Sequence, residues 1–195
     1  MKLDNYGFTS LDHMTHIDNL DSIFKYGLQS HNNLYKKRDI SNIEVNQRRE
    51  RRESIYGRKI HDYVPFYFNP RNAMMYRNRD EDVVILAFSK KLLLKDDALF
   101  TDRNAAVNSV HFYHDLDDLE NIEWNIVQST SWYDKSRPEY VKQIMMAEAL
   151  VYNEVKIKHL LGVYCKNINT KNLLMQRYGL KSKQVIVKPN LFFKY

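Results

Sequence analysis

The residue best placed to do chemistry is Glu148, a lone carboxylate in the apolar run Met145-Met146-Ala147-Glu148-Ala149-Leu150-Val151. Burying an ionised carboxylate without a partner is very costly. Glu148 must therefore point out of the core or be held by a specific partner. Read as a strand, the run puts Glu148 on one face and Ala147 and Ala149 on the other, with small neighbours leaving space around the acid. A catalytic acid at a cleft has this pattern, and so does an ordinary half-exposed strand. A second group is the basic stretch with Arg48, Arg49, Arg51, Arg52, Arg58 and Lys59. That stretch reads either as a solvated helix face or as a phosphate-contacting surface with one arginine reaching a cleft. A third group is His16 and Asn19, at a strand-to-helix turn where backbone N–H groups are free. Such a turn suits a dinucleotide. It equally suits polar side chains capping their own backbone.

The elements that must position these groups follow from the pattern. Met14–His16 reads as a short strand. Asp18 caps a helix over Asn19–Tyr26, with Leu20, Ile23 and Phe24 at helical spacing and Gly27 closing it. Residues 29–43 read as a loop, and residues 44–54 as a helix laced with charged pairs. Tyr63, Phe66, Tyr67 and Phe68 are strongly β-prone, with Pro65 forcing an edge or a bulge. Asn72–Tyr76 is a short helix that places Met74 and Met75 inward or at a pocket wall. Val83–Phe88 is the clearest buried strand. Lys90–Lys95 and His114–Leu119 read as short helical pieces. Residues 126–141 form a polar loop with aromatic tips. Val155–Leu161 reads as a basic amphipathic helix, Gly162–Cys165 as a strand, Thr170–Tyr178 as a helix and Gln184–Val187 as a last strand. There is no repeat, low-complexity tract or linker, so residues 1–195 are expected to form one mixed α+β domain.

Composition narrows the class. The chain has 195 residues, 44% hydrophobic, enough for a proper core. Lys and Arg number 30 against 24 acids, a net charge of +6, which favours a polyanionic partner. With 14 Tyr, 9 Phe and 2 Trp, the basic and aromatic content suits nucleotides and single strands, which offer phosphates and stackable bases. A Tyr-rich core under a solvated basic surface has the same totals. The one cysteine, Cys165, excludes an internal disulfide framework or a thiolate metal cluster. No apolar run reaches transmembrane length and no signal peptide opens the chain. The default expectation is a reduced, cytoplasmic protein with no membrane partner.

Taken in order, these segments resemble the DarT family, the DNA ADP-ribosyltransferase toxins of DarT–DarG toxin–antitoxin pairs. The resemblance rests on His16-Ile17-Asp18-Asn19-Leu20 with Gly27-Leu28, on the basic helix ending at Arg48-Arg49, and on Asp62-Tyr63-Val64-Pro65-Phe66-Tyr67-Phe68. Phe100-Thr101-Asp102-Arg103 and Met146-Ala147-Glu148-Ala149-Leu150-Val151 complete it. It implies an ADP-ribosyltransferase fold, two packed twisted β-sheets with flanking helices and an NAD cleft between them. It makes Glu148 the catalytic glutamate and Arg49 the catalytic arginine, with Arg48 the alternative. His16, Asn19, Leu20, Tyr67 and Arg48 would bind NAD. Tyr67 and Met74 would line the nicotinamide and target-base region. Residues 126–145 would form the substrate-recognition loop, where Trp132, Tyr133, Arg137 and Lys142 offer stacking and phosphate contacts, and Arg103 would flank the same groove. Asn72-Ala73 departs from the Ser-Pro that many relatives carry before Met. The implied reaction is transfer of ADP-ribose from NAD to a base, thymidine, in single-stranded DNA, without a metal. The implied partner is a DarG-like macrodomain antitoxin that removes the group. Transfer to guanine or RNA, or a non-catalytic basic nucleic-acid-binding module, are the competing readings.

Overall fold

The structure is a computed structural model that describes residues 2–31, 40, 43–131 and 136–193. In chain order its strands are β1 (Leu11–His16), β2 (Leu28–Gln29), β3 (Tyr63–Tyr67), β4 (Val83–Phe88), β5 (Ala98–Thr101), β6 (Phe112–Tyr113), β7 (Glu148–Tyr152), β8 (Glu154–Val155), β9 (Leu160–Cys165) and β10 (Val185–Val187). Its helices are α1 (Leu20–Tyr26), α2 (Ile43–Arg49), α3 (Ala73–Arg77), α4 (Trp124–Val127), α5 (Pro138–Ile144) and α6 (Ile168–Tyr178). Helices accompany a mainly antiparallel sheet, as in an α+β domain.

Eight strands run in the order β10-β9-β4-β1-β3-β7-β5-β6, and β2 pairs with β8 in a separate ribbon. Every neighbouring pair of the large sheet is antiparallel except β10 with β9. The large sheet is two four-stranded halves joined at one place. Between β1 and β3 the register holds a single residue pair, Asp12 opposite Tyr67. On either side the pairing is long: six pairs join β1 to β4 and five join β3 to β7. The two halves share one core, in which Val84, Leu86 and Phe88 of β4 meet Val64 and Phe66 of β3 and Ala149 and Val151 of β7. The Phe66 and Phe88 rings meet edge to face at 5.4 Å.

The buried strand β4, the aromatic strand β3, the Gly27 stop of α1 and the short helix after Asn72 all form where the sequence puts them. Asn72 caps α3 by accepting from the N–H groups of Met74 and Met75, so the departure from Ser-Pro keeps a cap. Pro65 is not in a bulge but at a local edge, since at Pro65 β3 pairs only with β7. It sits within β3 on the stretch that β1 does not pair, where no ladder bond is missed.

Other expectations change. The helix expected over 44–54 ends at Arg49. Glu53 folds the chain back: its carboxylate accepts from the N–H groups of Ile55, Tyr56 and Arg58 at 2.7, 2.9 and 2.8 Å. Asp18 does not cap α1. A 3-10 turn, Ile17–Asn19, comes first, and the His16 ring accepts from the Asp18 N–H. Val155–Leu161 is not a helix. Val155 ends β8, Ile157–His159 make one 3-10 turn, and Leu160 starts β9 opposite Phe88. Seven residues are too few to hold a helix on their own, and strand pairing of Val155 on β2 and Leu160 on β4 wins. Among the described residues no helix is long and apolar enough to cross a membrane.

Candidate active site

Glu148 opens β7, opposite Tyr67 of β3. The strand's alternation sends Ala147, Ala149 and Val151 into the main core and leaves Glu148 on the other face with Leu150. Glu148 has no exposed surface. The partner that such burial demands is Arg49, at the last residue of α2. Its two terminal nitrogens donate to Oε1 and Oε2 at 3.1 and 2.9 Å, a two-pronged ion pair. The Ala105 N–H donates to Oε1 at 3.0 Å. Thr101 Oγ1 accepts from the Glu148 N–H at 3.1 Å and donates to the Arg103 carbonyl at 2.7 Å. Burial works to lower the Arg49 pKa, but the adjacent Glu148 carboxylate outweighs it and raises the value. Arg49 is therefore a fixed positive charge and no proton acceptor.

In front of the pair lies a cleft of about 710 Å³, inside the range of small-molecule sites. It opens where β1 and β3 part. His13 and Thr15 come from one side, and Tyr63, Pro65 and Tyr67 from the other. Asn19, Arg48, Arg49, Met74, Arg77, Asn104 and Lys142 complete the parts that matter chemically. Arg49 thus stands between the hollow and the carboxylate. Burial, reinforced by the Glu148 charge, pushes the Tyr67 hydroxyl up, so it stays protonated. The His13 Nδ1–H donates to the Pro65 carbonyl at 2.8 Å, and burial pushes the ring down to about 4, so it is neutral.

The structure brings together Arg49, Arg48, Tyr67, Asn19, Met74 and Lys142 around one hollow, with Glu148 behind Arg49. Asn19 also donates to Thr15 Oγ1 at 3.1 Å, tying the turn to β1. Four expected contacts lie elsewhere. His16 is buried beneath the turn it caps, and Leu20 belongs to the main core. Arg103 donates to Asp102 at 3.1 and 2.9 Å, with its guanidinium 5.7 Å from the Tyr140 ring. Arg137 lies over the same ring at 5.1 Å. Trp132 and Tyr133 fall outside the described residues. Sequence reasoning missed His13, Thr101, Ala105 and Glu53. The Ala105 contact is a backbone N–H and leaves no trace in residue types. Glu53 is hidden among charges spaced like helical pairs. Among the described residues no group of three His, Cys, Asp or Glu side chains could hold a metal ion.

Residues 13–193 match the family model described as ssDNA thymidine ADP-ribosyltransferase, DarT. The chain is 33% identical over 159 residues to the DNA ADP-ribosyl transferase of Thermus sp. strain 2.9, covering 74% of this chain and 75% of that protein. It is 27% identical over 195 residues to a DNA ADP-ribosyl transferase–DNA ADP-ribosyl glycohydrolase fusion protein of Thermosipho africanus, covering 95% of this chain and 50% of the fusion. Its backbone is similar to that of Thermus sp. 2.9 DarT in complex with ADP-ribosylated ssDNA, with a TM-score of 0.83, 27% identity and coverage of 95% and 96% of the two chains. It is also similar to the same protein in complex with NAD+, at TM-score 0.82, 25% identity and 96% and 98% coverage.

Proposed function

The chain belongs to the DarT family, the single-stranded-DNA thymidine ADP-ribosyltransferases, and on that premise we propose that Glu148 and Arg49 carry its reaction. The reaction transfers ADP-ribose from NAD to a thymidine base in single-stranded DNA and releases nicotinamide. The observation that carries the assignment is the buried, two-pronged Arg49–Glu148 pair at the wall of a cleft sized for a dinucleotide.

The residues suit NAD. Arg48, Arg49, Arg77 and Lys142 offer positive charge to a diphosphate, and Tyr67 offers a ring to the nicotinamide end. Breaking the ribose–nicotinamide bond builds positive charge on the sugar, as in glycoside cleavage. A carboxylate beside the ribose stabilises that charge and accepts a hydrogen bond from its 2-hydroxyl. Glu148 Oε2 has Arg49 as its one described donor, so it keeps a lone pair for that hydroxyl. The ring nitrogen of thymine forms the new bond to the sugar carbon, the nicotinamide bond breaks, and the thymine N–H proton goes to Glu148. Arg49, always charged, holds the carboxylate in place and faces the diphosphate and the target base. Lys142 on α5 contacts the DNA backbone. A base in a duplex would first have to leave its stack, a cost that a single strand avoids.

The fusion relative, with a DNA ADP-ribosyl glycohydrolase on the same polypeptide, supports reading this chain as a toxin whose product a macrodomain partner reverses. The buried single thiol of Cys165 fits a reducing cytoplasm. The test is mass spectrometry of short oligonucleotides incubated with NAD and either wild type or Glu148→Gln. An ADP-ribose adduct only on thymidine-containing strands, lost in the variant, is expected. No adduct from wild type, or an undiminished one from the variant, would overturn the reading.

A further inference from the structure

Arg51 lies two residues beyond Arg49, just past the end of α2, and no carboxylate receives it among the described residues. Its Nη2 donates to the Ala105 carbonyl at 2.8 Å and also to the Val107 carbonyl, and Nη1 reaches Asn108 Oδ1 at 3.4 Å. Its Nε is buried with no acceptor. Burial, and then the neighbouring Arg49 charge, hold its pKa below the ordinary arginine value. The buried Nε and the like charge are unfavourable for stability, since a desolvated donor without a partner costs free energy and so does a like charge nearby, and they offset the hydrogen bonds to the loop. An arginine kept under such terms points to a role outside the stability of the fold.

What Arg51 fixes is a loop. Ala105, whose carbonyl it holds, is the residue whose N–H donates to Glu148 Oε1. The same loop is fastened at its start, where the Asn104 N–H donates to the Gln143 carbonyl and Asn104 Oδ1 accepts from the Ala106 N–H at 2.8 Å. Asn104 and Val107 also line the cleft. Arg49 therefore holds Glu148 directly, and Arg51 holds it through the Ala105 backbone, whose N–H meets the same oxygen, Oε1, as Arg49 Nη1.

We infer that Arg51 is a positioning residue for the transfer reaction, aiming the Ala105 N–H at Glu148 and so fixing the carboxylate against the ribose. This rests on the role proposed above for Glu148. A displaced carboxylate loses rate in the chemical step while substrate contacts are kept, because small misplacements of a reacting group cost up to about 100-fold. The experiment compares full-length wild type, Arg51→Lys and Arg51→Gln by steady-state transfer to a thymidine-containing oligonucleotide, with thermal unfolding alongside. The expected result is a fall in kcat of about tenfold or more in both variants, with KM for NAD and for DNA within about twofold of wild type. Retained kcat would overturn the inference, as would a rise in KM at steady kcat, which would make Arg51 a binding contact. Should Arg51→Gln fail to fold, Arg51→Lys decides, since it keeps the charge and can satisfy one carbonyl. A wild type that modifies no thymidine would instead overturn the function on which the inference stands.

Discussion

Removing either member of the Arg49–Glu148 pair will cost far more than removing both. Glu148→Gln keeps the shape but leaves a buried guanidinium facing an amide, one of whose two prongs is now a donor against a donor. Arg49→Met leaves the carboxylate with the Ala105 N–H as its remaining described side-chain partner. Breaking a buried pair from one side costs about 3–5 kcal/mol, because the survivor stays desolvated and unpaired. In a chain of this length about 1 kcal/mol moves Tm by roughly 2–4 °C, so each single variant should melt roughly 6–20 °C lower. The double variant Arg49→Met/Glu148→Gln removes both charges and nearly conserves volume. It should lie within about 2 kcal/mol of wild type or above it, so the two single losses fail to add by about 4 kcal/mol or more. Urea unfolding of the four proteins at pH 7, followed by circular dichroism, reads the cycle directly. Single variants within about 1 kcal/mol of wild type, or a double variant equal to their sum, would refute the dry, paired geometry. The result also governs how inactivity is read: a Glu148 variant must be assayed below its own melting temperature before its lost transfer is credited to chemistry.

Two further outcomes test the frame around the cleft. Burial raises Asp12 to about 6 from 3.8, against opposing pulls from the Ser10 hydroxyl and Lys188. The folded state thus favours the protonated acid. That contribution is present below about pH 4 and is lost as pH rises through 6. Asp12→Asn should therefore stabilise the protein by about 2–3 kcal/mol at pH 7 and by little near pH 4. Equal gains in urea midpoints at the two pH values would disprove it. Gly27 has φ +89° and ψ 173°, and a methyl group there would meet the Val155 carbonyl oxygen at 2.9 Å. Gly27→Ala should lose about 2 kcal/mol or more in the same assay, since that backbone region is nearly closed to side chains. Unchanged stability would mean that α1 ends differently.

How much of this was legible in the sequence depended on where each residue's partner lay. Glu148 was readable because its problem is local: an acid between alanines in an apolar run needs a partner wherever the chain goes. β4 was readable because its six residues are apolar without interruption. Arg49 could not be told from Arg48 by pattern, because one residue of rotation decides it: Arg48 is exposed at the cleft and Arg49 is buried on Glu148. The helix expected past residue 49 failed because Glu53, read as one of several helical charges, binds three backbone N–H groups instead. The helix expected at Val155–Leu161 failed because its two ends are taken by strands from far along the chain, Val155 by Leu28 of β2 and Leu160 by Phe88 of β4.

The position of the cleft follows from one residue that cannot donate. In a strand the N and C=O of a residue point to the same side. The Pro65 carbonyl receives the His13 ring, so its nitrogen also faces β1. A residue with an N–H there could extend the ladder past Asp12 and Tyr67 and close the gap; proline cannot. The His13 imidazole spans it instead, its Nδ1–H committed to that carbonyl. A neutral ring can do so without importing charge into the wall. The sheet therefore splits just where β3 carries Tyr67 between Asp12 on one side and Glu148 on the other. A site for a charged sugar needs an acid that is held, a wall that is polar without being ionised, and a gap that does not anneal. Arg49, His13 and Pro65 supply these in turn.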